Sequence, residues 1–145
     1  MPMTETIELS IDSKLEFVDI VGSVTRSVTA KLGFGEDDAS WIELAIHEAV
    51  INAITHGNKG ADDKQVDVKF DIEPDSMTVF IRDRGEGFDP SSLPDPLDPE
   101  NLLNPSGRGI FYMRTFMDEV EYLAHPEGGS VVRLTKYTNS SAKQN

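Results

Sequence analysis

Four apolar residues, Val66, Val68, Phe70 and Ile72, alternate strictly with Asp67, Lys69 and Asp71. Successive side chains of a strand point to opposite faces, so this run has one apolar and one charged surface. Met77, Val79 and Ile81 repeat the pattern after Glu73-Pro74-Asp75-Ser76, a segment suited to a tight reversal. The two runs are predicted to pair as an antiparallel hairpin. A hairpin with one apolar face needs a second layer to cover it.

Two upstream helices are predicted to supply that layer. Leu15, Val18, Val21, Val24, Val28 and Leu32 recur at helical spacing. Asp12 or Ser13 is placed to cap this helix, with Glu16 as the capping-box partner of Ser13, and it should stop near Gly33-Phe34-Gly35. A second helix starts among Glu36, Asp37 and Asp38, whose charges suit a helix N-terminus. It continues through ELAIHEAVINAITHGNKG (Glu43–Gly60) and is predicted to stop at His56-Gly57. At about 100° per residue, Glu48, Asn52 and His56 form one row in nearly the same arc as Trp41, Ala45 and Ala49. Spacing alone leaves two readings: the row is exposed by chance, or it lines a site. Trp41 is assigned to the core and His56 to a helix-end contact. His47, His125, Arg82 and Arg84 are assigned to solvated surface.

Around this centre, Thr6–Ile11 alternates as a half-buried strand. Asp83-Arg84-Gly85-Glu86-Gly87-Phe88 follows the hairpin directly. Residues 89–106 carry prolines at 90, 94, 96, 99 and 105 with little periodicity, and read as a lid. Gly107-Arg108-Gly109 opens a third helix through about Phe116; Val120–Ala124 and Val131–Tyr137 flank a turn at Pro126–Gly129. The order βααββαββ predicts an α/β fold. It is a two-layer sandwich with a mixed, mainly antiparallel sheet and helices on one face. Residues 1–138 form one domain and 139–145 a polar tail.

Composition narrows the function. Against 13 Lys and Arg stand 26 Asp and Glu, a formal net charge of −13. Broad contact with nucleic-acid phosphates needs the opposite balance. An acidic protein can still hold a triphosphate, through backbone N–H groups and a divalent cation. There is no cysteine, hence no disulfide or thiolate metal site. No secretory signal or membrane-length apolar run is present, and a cytoplasmic location is expected.

Two glycine pairs flank the lid. Gly85 and Gly87, after a strand, allow tight turning and close approach of a ligand to the backbone. Gly107 and Gly109 precede a helix whose free N–H groups suit phosphates. Neither pair has the spacing of a dinucleotide fingerprint, and no G-x-x-x-x-G-K loop exists. In combination the segments are more specific. EAVINAITHG resembles the N box of the GHKL (Bergerat-fold) ATPases, DRGEGF their G1 box and SGRGIFYM their G2 box. Length and order look most like the bacterial serine kinases that act as anti-sigma factors. The resemblance extends from the first strand to GGSVVRLTKY.

The resemblance implies roles. Asn52 would coordinate Mg²⁺ and Glu48 would act as general base toward the acceptor hydroxyl. Asp83 would accept a hydrogen bond from the exocyclic amino group of adenine, with Gly85 and Gly87 close to the base. Gly107, Arg108 and Gly109 would close over the phosphates of ATP. Ser130, after Gly129, stands where the family commonly has Thr beside the adenine. The implied activity is that of a serine/threonine-protein kinase and anti-sigma factor. It would phosphorylate an anti-sigma-factor antagonist and bind a sigma factor in a partner-switching circuit, as a homodimer without direct nucleic-acid or membrane contact. The alternative is a catalytically weak, ATP-gated binding regulator of the same fold.

Overall fold

The computed structural model describes residues 4–61, 63–85 and 112–138. Its sheet grows from the hairpin. β2 (Gln65–Glu73) and β3 (Ser76–Arg82) pair antiparallel with Val68 opposite Ile81 and Phe70 opposite Val79, so the apolar sets share one face. β1 (Glu5–Asp12) adds to β2, with Ile7, Leu9 and Ile11 opposite Phe70, Val68 and Val66. β5 (Ser130–Tyr137) adds to β3, and β4 (Glu119–Ala124) to β5. The order is β1-β2-β3-β5-β4, and all four pairings are antiparallel, so the sheet, expected to be mixed, has no parallel pair among the described strands.

Both helices lie on the apolar face. α1 (Val18–Leu32) contributes Val18, Val21 and Val28 to the core; α2 (Glu36–Asn52) contributes Ile42, Ala45, Ile46, Ala49 and Val50. They meet Ile11, Val66, Val68, Phe70, Met77, Val79, Ile81 and Leu134 from the sheet. α1 stops where expected. Gly33 is left-handed (φ +81°), and the N–H of Phe34 returns to the carbonyl of Thr29, closing the last turn.

The start of α1 differs from expectation. A short 3₁₀ turn at Leu15–Phe17 precedes it, without a side-chain cap, and Leu15 is exposed. Ser13 is buried and donates instead to the carbonyl of Lys64, 2.6 Å away, tying the end of β1 to the start of β2. Trp41 is the second correction. It is 45% exposed and stacks on Phe116 with ring centroids 4.4 Å apart. The core face of α2 is centred between Ile42 and Ile46, and Trp41 lies roughly 120° from that centre, at the edge of the buried arc.

Residues 112–116 form a helical turn anchored by buried Met113, with Met117 buried just beyond it. No described helix is long and apolar enough to cross a membrane. The proposed lid, Gly87, Gly107, Arg108, Gly109 and the tail at 139–145 lie outside the described residues.

Candidate functional site

The site forms where three elements end together: the C-terminus of α2, the end of β3 and the start of β5. α2 does not stop in a left-handed glycine. After Asn52 it widens into a π-helical turn, Ala53–Gly57, which closes with the N–H of Asn58 on the carbonyl of Ala53. Single π turns are frequent at functional sites. The residues with positive φ come later, at Lys59 and Gly60. Gly57 is needed for another reason: a Cβ there would lie 2.4 Å from Oδ2 of Asp83. The absence of a side chain lets the helix end rest directly on that carboxylate.

Asp83 is 4% exposed. Its Oδ1 accepts from the N–H of Gly85 at 2.9 Å and of Ser130 at 3.2 Å, and its own N–H donates to the carbonyl of Ser130. Two further glycines make the enclosure possible. A Cβ on Gly85 would fall 1.9 Å from the carbonyl oxygen of Gly57. Gly129, at φ +85°, brings its Cα against the carbonyl of Asp83, 2.1 Å from where a Cβ would sit. A buried carboxylate is costly unless hydrogen-bonded, and these backbone donors supply the bonds. The Ser130 Oγ, also buried, has no hydrogen-bond partner among the described residues. An orphaned hydroxyl beside a caged carboxylate has the donor and acceptor character that an amino-purine edge requires.

Glu48 and Asn52 lie one helical turn apart on α2, about 6 Å along its axis. They occupy the same margin of the core face as Trp41, and both are half-buried. Among the described residues neither side chain takes a hydrogen-bond partner. They lie on the turns of α2 that lead into the π turn, whose last residue, Gly57, packs on Asp83. The amide oxygen of Asn52 is a hard donor suited to Mg²⁺, and the Glu48 carboxylate is an acceptor suited to a hydroxyl proton. His56, third in the predicted row, is exposed within the π turn. A π turn holds more residues per turn and so advances by a smaller angle per residue than an α-helix, which shifts His56 off the row set by Glu48 and Asn52.

Sequence reasoning missed the surroundings of Asp83. Asn58, just past the predicted helix stop at His56-Gly57, is 1% exposed. Its Nδ2 donates to Ser13 Oγ (2.8 Å) and to the carbonyl of Gln65 (3.1 Å), while its Oδ1 accepts from the N–H of Arg84 (2.7 Å). Arg84, assigned to solvated surface, reaches Asp67 at 2.6 Å. Burial raises the pKa of the Asp67 carboxyl, but hydrogen bonds from Ser10 and Arg84, with the charges of Arg84 and Arg82, outweigh it and hold the group below its ordinary 3.8. Arg82 donates to the carbonyl of Gly128, and His125 accepts from the N–H of Glu127. No periodicity could have revealed these bonds; at most, Asn directly after a glycine hinted at special backbone geometry.

The chain is similar to known proteins along most of its length. The family model for the histidine kinase-like ATPase domain matches residues 11–136. Serine-protein kinase RsbW of Bacillus pumilus is 32% identical over 148 residues, covering 94% of this chain and 90% of that protein. The Bacillus subtilis RsbW is 30% identical over 139 residues, with coverage of 92% and 86%. A solved structure of the RsbU and RsbW domains of a Mycobacterium tuberculosis protein superposes with a TM-score of 0.64 at 20% identity. It covers 92% of this chain, which spans 32% of that longer one, and supports the fold alone. On the extent of these matches, the chain belongs to the histidine kinase-like ATPase domain family and groups there with the serine-protein kinases called RsbW.

Proposed function

We propose that the chain is an ATP-dependent protein serine/threonine kinase acting as an anti-sigma factor, which phosphorylates an anti-sigma-factor antagonist and binds a sigma factor. The observation that carries the reading is the caged Asp83 with the orphaned Ser130 hydroxyl, against the end of the helix that bears Glu48 and Asn52. Adenine offers its exocyclic amino group to the Asp83 carboxylate, and guanine would set a carbonyl oxygen there, acceptor against acceptor. From that base position the phosphates extend along α2 toward Asn52 and Glu48. Gly87, Gly107, Arg108 and Gly109 complete the enclosure in this reading.

Mg²⁺, when bound through the Asn52 amide oxygen, offsets phosphate charge. The Glu48 carboxylate accepts the proton of the attacking serine or threonine hydroxyl. The hydroxyl oxygen bonds to the γ-phosphorus, the bond to the bridging oxygen of the β-phosphate breaks, and ADP leaves with that electron pair. Positioning and electrostatics supply most of the acceleration in such transfers. A homodimer in the cytoplasm, without direct nucleic-acid contact, completes the proposal.

Incubation with ATP, Mg²⁺ and the cognate antagonist tests it: labelled phosphate should move from ATP to a serine or threonine of the antagonist. Tight ATP binding without any transfer would favour an ATP-gated binding regulator. The presence of Glu48 argues for the kinase, since a pure binder has no use for a base at that position.

A further inference from the structure

Asn58 has no part in the chemistry described above, yet its side chain is the most fully engaged polar group near the site. Three separate segments meet on it: Ser13 after β1, Gln65 at the start of β2, and Arg84 immediately after Asp83. Its orientation has one solution. The backbone N–H of Arg84 can only donate, so it faces Oδ1. The carbonyl of Gln65 can only accept, so it faces Nδ2. Ser13 spends its hydroxyl proton on the carbonyl of Lys64 and is left as an acceptor for the second Nδ2 proton. No other residue type of this size offers one acceptor and two donors in that arrangement. Aspartate would set an oxygen against the Gln65 carbonyl.

The clasp bears on Asp83 from two sides. The N–H of Asn58 closes the π turn that presses Gly57 on the carboxylate. Its Oδ1 fixes the peptide between Asp83 and Arg84, and thus the turn whose next N–H, that of Gly85, holds Oδ1 of Asp83. We propose that Asn58 is a positioning residue for the base subsite: it fixes the direction of the Asp83 carboxylate and thereby sets the preference for adenine over guanine. The inference rests on the reading of Asp83 as the adenine acceptor. Discrimination by a buried hydrogen-bonding group depends on its geometry, because a carboxylate free to turn away from a guanine carbonyl no longer rejects it.

The test uses the full chain with Asn58→Ala, Ser13→Ala, Asp83→Asn and a core truncation, Val50→Ala, as a control of lowered stability. Calorimetric titration with ATP–Mg²⁺ and GTP–Mg²⁺, well below each variant's melting temperature, gives the ATP/GTP affinity ratio. In Asn58→Ala the ratio should fall about tenfold, mostly through weaker ATP binding. In steady-state transfer its KM for ATP should rise while kcat stays within about twofold. Val50→Ala should melt lower and keep the wild-type ratio. A folded Asn58→Ala with an unchanged ratio overturns the proposal. Should that variant not fold, Ser13→Ala decides. It removes one contact of the clasp and should lower the ratio about threefold, whereas an unchanged ratio overturns the proposal again. Asp83→Asn separates the two levels. If it leaves the ratio intact, the adenine reading itself falls; if it collapses the ratio while the Asn58 and Ser13 variants do not, only the positioning role falls.

Discussion

Gly85 has no space for a side chain, because a Cβ would lie 1.9 Å from the carbonyl oxygen of Gly57. Gly85→Ala must push β3 and the end of α2 apart, at a cost of about 1–3 kcal/mol for an overpacked site. The variant should show a lower melting temperature together with at least tenfold weaker ATP binding, roughly the effect of losing one well-made hydrogen bond to a charged group. Calorimetry on one preparation measures both; unaltered affinity would place the nucleotide elsewhere. Asp67 gives a pH prediction. Its carboxyl is held below 3.8, so the ionised form stabilises the fold above that value and the benefit is lost as pH falls through the folded-state pKa. Its partner Arg84 is 45% exposed, so solvent limits the contribution to about 1 kcal/mol or less. Asp67→Asn should be slightly less stable than wild type at neutral pH in urea denaturation, and the gap should close below about pH 3.8. A gap that persists in acid would assign the effect to packing.

At the scale of elements, the strands were legible because burial of one face forces a period of two, as Val66–Ile72 shows. The stop of α1 was legible because only a glycine comfortably adopts the φ of +81° at Gly33. The misreadings have a common cause. Ser13 carries the chemistry of a helix cap, but its hydroxyl serves a tertiary clasp; Asn58 carries the chemistry of a turn, but its amide does the same. Ala53–Gly57 contains ordinary helix residues, and nothing in AITHG announces the π turn that seats Gly57 against Asp83. For Glu48 and Asn52, spacing alone left chance and function open. Their place at the margin of the core face, beside Trp41, shows why: the stripe is neither inside nor fully outside. Trp41 is the only tryptophan, and its stack on Phe116 joins α2 to the turn that follows Gly107–Gly109 in sequence. ATP–Mg²⁺ should therefore change Trp41 emission, and Phe116→Ala should abolish most of that change. A fluorescence signal that ignores nucleotide would uncouple this turn from the site.

For the molecule as a whole, a net charge of −13 means self-repulsion between residues that short-range pairs do not neutralise. Monovalent salt should raise the melting temperature by about 2–5 °C before levelling off, as the screening length falls below about 10 Å. A fall would mean that local pairs such as Arg26–Glu43, at 2.5 Å, outweigh the global field. The same acidity makes the positions of Asn52 and Glu48 decisive, since phosphate in an acidic protein demands a cation and fixed donors. The central claim is that Glu48 is the base of a phosphoryl transfer rather than a solvated helix residue. Its most direct test compares wild type with Glu48→Gln, a near-isosteric change, in transfer of labelled γ-phosphate to the cognate antagonist at saturating ATP–Mg²⁺. A base at Glu48 predicts a loss of about 10²-fold or more in kcat, with ATP affinity within about threefold of wild type. Transfer by Glu48→Gln at the wild-type rate would contradict it.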